Sequence, residues 1–151
     1  KRRENRQHSG KKRLTHHGFS LIEVLISMVI ISIGLLGAMA LQATSLREGQ
    51  VSNYRDNATL IAQSVLDAIR ANRANAGNYT ITLAASAPTG TSIVATDLQG
   101  FKNSASELLP SGNGSITVSA GTSTATINLQ WSESRVKSGT DSQEFSYVSE
   151  Y

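Results

Sequence analysis

From Val24 to Leu46 the chain carries no charged side chain, an apolar run of 23 residues. At about 1.5 Å of rise per residue, a helix of that length crosses the roughly 30 Å hydrocarbon core of a bilayer. It is too long for an ordinary signal-peptide core. A secretory signal also needs a small-residue cleavage site after its apolar run, whereas the one conspicuous junction here, Gly18-Phe19, precedes it. Ahead of that junction, Lys1, Arg2, Arg3, Arg6, Lys11, Lys12 and Arg13 stand against Glu4 alone, a formal +6. The positive-inside rule holds this end in the cytoplasm, so everything after the run is expected outside it. The sequence opens on Lys1 rather than Met, which leaves room for a longer leader.

Glu23 is the anomaly at the mouth of the run. A carboxylate near the middle of a membrane helix costs about 2.5 to 3.5 kcal/mol on insertion scales, so something should compensate for it. One reading puts Glu23 at the cytoplasmic headgroup boundary, capping the first helical turn where the helix dipole favours negative charge. The other follows from a cut after Gly18. A new amine at Phe19 would then lie within reach of Glu23 in the same or a neighbouring subunit.

The basic leader, Gly18-Phe19-Ser20-Leu21-Ile22-Glu23 and the apolar helix behind them resemble the class III signal of type IV pilins and pseudopilins. The resemblance implies an α+β type IV pilin fold, in which a long N-terminal helical spine carries a small antiparallel sheet as its head. It implies an inner-membrane prepilin peptidase that cleaves after Gly18 and methylates Phe19. It also implies that Glu23 neutralises an N-terminal amine as subunits dock. Leu25 to Ala38 running into Leu41-Gln42 is most similar to the PilV-type minor pilins, with weaker likeness at Arg70-Ala71-Asn72-Arg73 and around Leu108-Leu109-Pro110-Ser111-Gly112. The implied partners are the peptidase, other minor pilins and the major pilin, the inner-membrane assembly platform, and lipid before assembly. Localisation would follow as inner membrane with a periplasmic head, then extracellular pilus. Many pilins close a C-terminal loop with a disulfide, which a chain without cysteine cannot do.

Charge and composition exclude several chemistries. Removing the leader's +6 from the whole-chain +3 leaves the remainder at −3, so general nucleic-acid binding through phosphate contacts is not expected. His8, His16 and His17 all precede Gly18. A processed chain without His or Cys cannot build a His-dependent triad, a thiol nucleophile or the usual zinc site. No catalytic residue, cofactor or metal is expected. The function anticipated is polymerisation, as a minor pilin that assists pilus initiation at the tip or in the filament. A type II secretion pseudopilin would use the same residues, and a signal-anchored periplasmic binding protein would keep its leader.

The organisation expected is leader 1–18, transmembrane half-helix 19–46, amphipathic half-helix 47–73, connecting loop 74–96 and head 97–151. Tyr54, Ala58, Ile61, Val65 and Ile69 recur at spacings of four, three, four and four, which predicts one buried stripe on a helix from Phe19 to about Asn72. Gly34 to Gly37 is the expected soft point of that helix on entering a filament. Pro88-Thr89-Gly90 marks a turn in the connection, with a short strand expected at Tyr79 to Leu83. Asp97 is expected to cap a helix from Leu98 to Leu109, burying Leu98, Phe101, Ala105 and Leu108 and stopped by Pro110.

Alternation predicts a hairpin of Ser115 to Ser119 with Thr124 to Trp131, and a third strand around Phe145, Tyr147 and Val148 after the loop Ser138-Gly139-Thr140-Asp141. The sheet should bury Ile116, Val118, Ile127, Leu129 and Trp131. Asn57, Asn78 and Asn113 open short glycosylation-type triplets, which are expected to go unmodified. Asp141 and Glu144 fall short of a calcium ligand set.

Overall fold

The computed structural model describes residues 18–134 and 142–151. The basic leader through His17 and the loop containing Asp141 lie outside the described residues. The chain divides into two compact units, the first ending at Gln42 and the second running from Ala43 to Tyr151. Helix α1, Leu21–Ala71, contributes to both.

In the first unit α1 opens on the carbonyl of Ser20, which accepts from the backbone N–H groups of Glu23 at 3.0 Å and Val24 at 3.2 Å. No described side chain of this unit is buried, and the most apolar window of α1 has a mean hydropathy of 2.6. Its hydroxyls turn inward on the backbone. Ser27 Oγ donates to the Glu23 carbonyl and Ser32 Oγ to the Met28 carbonyl, each at 2.7 Å. Such bonds within the helix satisfy polar groups where no water would. The helix runs unbroken through Gly34 and Gly37.

In the second unit the predicted stripe is the core face of α1. Ala58, Ile61, Val65 and Ile69 are buried, Tyr54 is partly so, and Ala62 and Leu66 widen the face. A sheet of β1 (Asn113–Ser119), β2 (Thr124–Ser132) and β3 (Ser142–Glu150), in the order β1-β2-β3 and antiparallel throughout, completes the core. The long helix and the small antiparallel sheet make this an α+β chain of type IV pilin fold. Ile116, Ile127, Leu129 and Trp131 are buried as their alternation predicts, whereas Val118 is only partly covered. Ser123, in the left-handed region at φ 49°, closes the β1–β2 turn.

The segment between helix and head departs from expectation. A 3-10 turn, Arg73–Tyr79, follows α1, and Tyr79 to Leu83 forms no strand beyond a single bridge between Ile81 and Ile116. Tyr79 belongs to the turn, and Ala76, Tyr79 and Ile81 are buried core residues. Helix α2 is Ile93–Leu108, five residues longer at its start than expected, because Ser92 rather than Asp97 caps it. The extended Ser92 accepts the Ala95 N–H on its side chain at 3.2 Å, the geometry of a hydroxyl N-cap.

At the other end Leu108 is 48% exposed and Leu109 takes the core position. Leu109 is extended at φ −120°, as the residue before Pro110 must tend to be. Leaving the helix there turns its side chain inward. Two glycines then permit close approach. A Cβ on Gly112 would collide with the Ala105 carbonyl, and one on Gly114 with the Phe101 ring.

Candidate functional site

The residues expected to carry function, Gly18, Phe19 and Glu23, lie together at the start of the first unit. Gly18 and Phe19 precede the helix, with nothing near the Gly18 α-carbon and Phe19 82% exposed. A peptide bond in such a position is open to a protease. Glu23 sits in the first turn of α1, where a carboxylate complements the helix dipole. Phe19, Glu23, Ser27 and Ile31 follow one another at intervals of four and line a shallow groove with Val24 and Met28. The fold thus sets Phe19 and Glu23 on the same side, one turn apart. Among the described residues the only salt bridge is Arg70 with Asp67 at 3.2 Å, so Glu23 has no cationic partner there. The amine proposed for it arises only when the Gly18-Phe19 bond is cut.

The second unit contains polar groups that sequence reasoning did not single out. Lys102 is 8% exposed, and its ammonium donates to the carbonyls of Thr82 at 3.0 Å and Leu83 at 3.3 Å and to Asn113 Oδ1 at 2.9 Å. Asn113 Nδ2 in turn donates to the Leu83 carbonyl at 2.8 Å. Burial pushes the Lys102 pKa down. Tyr79 donates its hydroxyl to Asp97 Oδ2 at 2.6 Å, and burial first, then that hydrogen bond, pushes the phenol up. Glu133 is 1% exposed; its Oε1 accepts the Trp131 indole N–H at 3.3 Å and its Oε2 has no partner among the described residues. The signal for Glu133 was present, since it continues the inward row Ala125, Ile127, Leu129 and Trp131 by one more step of two.

These groups tie segments together and assemble no reactive centre. Among the described residues no group of three His, Cys, Asp or Glu could hold a metal ion. Asn113 is committed to its network and Asn57 reaches the Leu108 carbonyl at 3.4 Å. Arg70 fastens the end of α1 to β3. Its Nη2 donates to the Glu150 carbonyl at 2.9 Å and to Ser149 Oγ at 3.2 Å, and Arg73 lies 5.9 Å from the Tyr151 ring centroid.

Residues 13–39 match the model of the prokaryotic N-terminal methylation motif. No curated protein and no solved structure matches the chain. The matched segment contains Gly18, Phe19, Glu23 and the apolar run as far as Met39. It supports a type IV pilin or pseudopilin-like role with a structural character, peptidase processing and membrane anchoring.

Proposed function

We propose that the chain is a minor pilin of a type IV pilus, most similar to the PilV type, cleaved after Gly18 by a prepilin peptidase and methylated on Phe19. Glu23 then pairs with the Phe19 amine of its own or a neighbouring subunit, and the uncharged helices exchange lipid for one another in the filament. The head stays periplasmic before assembly and extracellular after it, and the subunit assists initiation at the tip or along the shaft. What carries the reading is Gly18-Phe19-Ser20-Leu21-Ile22-Glu23 at the entry to a helix whose apolar side chains are all exposed as far as Leu46. Without an amine, the Glu23 carboxylate would enter the bilayer uncompensated. A type II secretion pseudopilin would use these residues identically, and the matched motif is common ground between the two.

The test is the intact mass and N-terminal residue of the membrane-purified protein, with and without prepilin peptidase. Peptidase-dependent appearance of methylated Phe19 supports the reading. A leader retained in the presence of active peptidase sinks it and leaves a signal-anchored periplasmic protein.

A further inference from the structure

We propose that the outer edge of β3 docks an extended, basic segment of another polypeptide by strand addition. The observations lie wholly within the second unit and do not depend on how the leader is processed.

The two edges of the sheet are finished differently. Tyr151 N–H donates to the Ser123 carbonyl at 3.0 Å, which places the hydrogen-bonded pairs of β2 and β3 at odd-numbered residues. Antiparallel pairs alternate, so Glu144, Ser146 and Val148 direct their N–H and C=O groups away from β2. The same alternation turns Gly114, Ile116 and Val118 outward on β1.

On β1 every one of those N–H groups is satisfied. Gly114 donates to Asn113 Oδ1 at 2.8 Å, Ile116 to the Ile81 carbonyl at 2.8 Å, and Val118 to Thr80 Oγ1 at 3.3 Å. On β3 the Glu150 carbonyl is taken by Arg70, but among the described residues the outward groups of Glu144, Ser146 and Val148 have no partner. An open edge of this length is a template for another strand.

Charge specifies the occupant. The same residues that point backbone groups outward carry their side chains on the exposed face of the sheet. That face runs from Asn113 through Gln130 to Glu144 and holds hydroxyls, amides, Val148 and the carboxylates of Glu144 and Glu150; among the described residues the cations that touch its strands, Lys102 at Asn113 and Arg70 at Glu150, stand at its ends and are already hydrogen-bonded. Arg55 borders the groove beside Glu144 without pairing to it. Directly opposed side chains on neighbouring strands interact, opposite charges favourably and like charges unfavourably. A strand with Lys or Arg opposite Glu144 and an apolar residue opposite Val148, which is 61% exposed, is therefore preferred. A second copy pairing through its own β3 would bring only further carboxylates to the same face.

The test uses the full chain in detergent and two capped peptides, Thr-Val-Thr-Thr-Thr-Lys-Thr and the same peptide with Glu for Lys. Binding is followed by amide hydrogen exchange and by titration. The expected result is slowed exchange at Glu144, Ser146 and Val148 with the Lys peptide, and a preference over the Glu peptide of about threefold to tenfold. Ser146→Pro removes one outward N–H while leaving the β2–β3 ladder intact, and should abolish the protection. Glu144→Lys should reverse the preference. Three outcomes would overturn the proposal: equal binding of both peptides, no binding at about 1 mM probe, or protection at these amides that grows with protein concentration alone. The last would identify a second copy as the occupant.

Discussion

Residues 24–46 and 54–69 belong to one helix and differ in what they are built to touch. The first stretch is apolar on every side, and all of it is exposed. The second gathers its apolar residues, the exposed Leu60 excepted, into a stripe that the sheet and α2 cover, while Arg55, Asp56, Asp67 and the adjoining Arg70 face out. Helical hydrogen bonding is common to both, so it distinguishes neither. What differs is the solvent each implies. A helix with one apolar stripe finds its partner within its own domain, and one apolar all round needs lipid or other helices.

Substitution within the two stretches gives the largest effect. Ile69 is fully buried, and Ile69→Ala is expected to destabilise the head by about 2 to 5 kcal/mol through lost burial and the cavity left behind. Ile30→Ala, 65% exposed, is expected to change head stability by less than about 0.5 kcal/mol. Urea unfolding of both variants in detergent, followed by Trp131 fluorescence, measures the contrast. Equal losses would mean that the first stretch contributes to the folding core.

A smaller effect probes the closeness of packing on the covered side. Gly114 stands where a Cβ would overlap the Phe101 ring and come within 2.9 Å of Leu129 Cδ2. Gly114→Ala should cost about 1 to 3 kcal/mol through overpacking. Gly37, in the exposed stretch, has open space around it, and Gly37→Ala should leave head stability unchanged. A Gly114→Ala protein as stable as the parent would show that the α2–β1 contact yields readily.

How far the sequence could be read also follows the two solvents. The membrane-type run, the helical stripe and the alternating strands are each set by the pattern of apolar residues, and each appears where its period places it. The Gly18-Phe19 junction and Glu23 stand out in the sequence because they interrupt such a pattern. Residues 74 to 96 were not legible, since their Ala, Ser, Thr and Asn have no period and short polar side chains compete for the same backbone groups. Ser92 and Asp97 are both good caps by type, and tertiary context decided between them when Tyr79 claimed the Asp97 carboxylate. Lys102 was hidden for a related reason. It sits beside Phe101 on a helix face that looks amphipathic, and only the fold brings the carbonyls of Thr82 and Leu83 to its ammonium.

That ammonium gives the next effect in size. Lys102→Met keeps most of the buried stem but takes one of two donors from the Thr82 carbonyl, from the Leu83 carbonyl and from Asn113 Oδ1, for an expected loss of about 1 to 3 kcal/mol. Arg47→Met, on an exposed part of the helix, should be neutral to within about 0.5 kcal/mol. Thermal melts of the two variants side by side decide it. A Lys102→Met protein more stable than the parent would show that desolvating the charge outweighs the three hydrogen bonds.

The smallest effect lies in the pH dependence and separates two groups whose shifts run in opposite senses. The Tyr79 pKa is raised above the ordinary 10.0, because burial disfavours the phenolate and the Asp97 hydrogen bond holds the proton. Its contribution is complete below pH 10.0 and is lost as pH climbs through the higher folded value. The Lys102 pKa is lowered from 10.5, so its contribution is present above that value and is lost as pH falls through the lower folded one. Comparing the parent with Tyr79→Phe cancels the lysine, which both retain. The variant should be less stable by about 1 kcal/mol for the missing hydrogen bond at neutral pH, and that deficit should hold up to pH 10.0 and shrink above it. Urea midpoints of both proteins from about pH 8 to about pH 11 give the difference directly. A deficit that stays constant across the whole range would mean that the phenol titrates alike in the folded and unfolded chain, and that the Asp97 bond acts only by holding the 3-10 turn against α2.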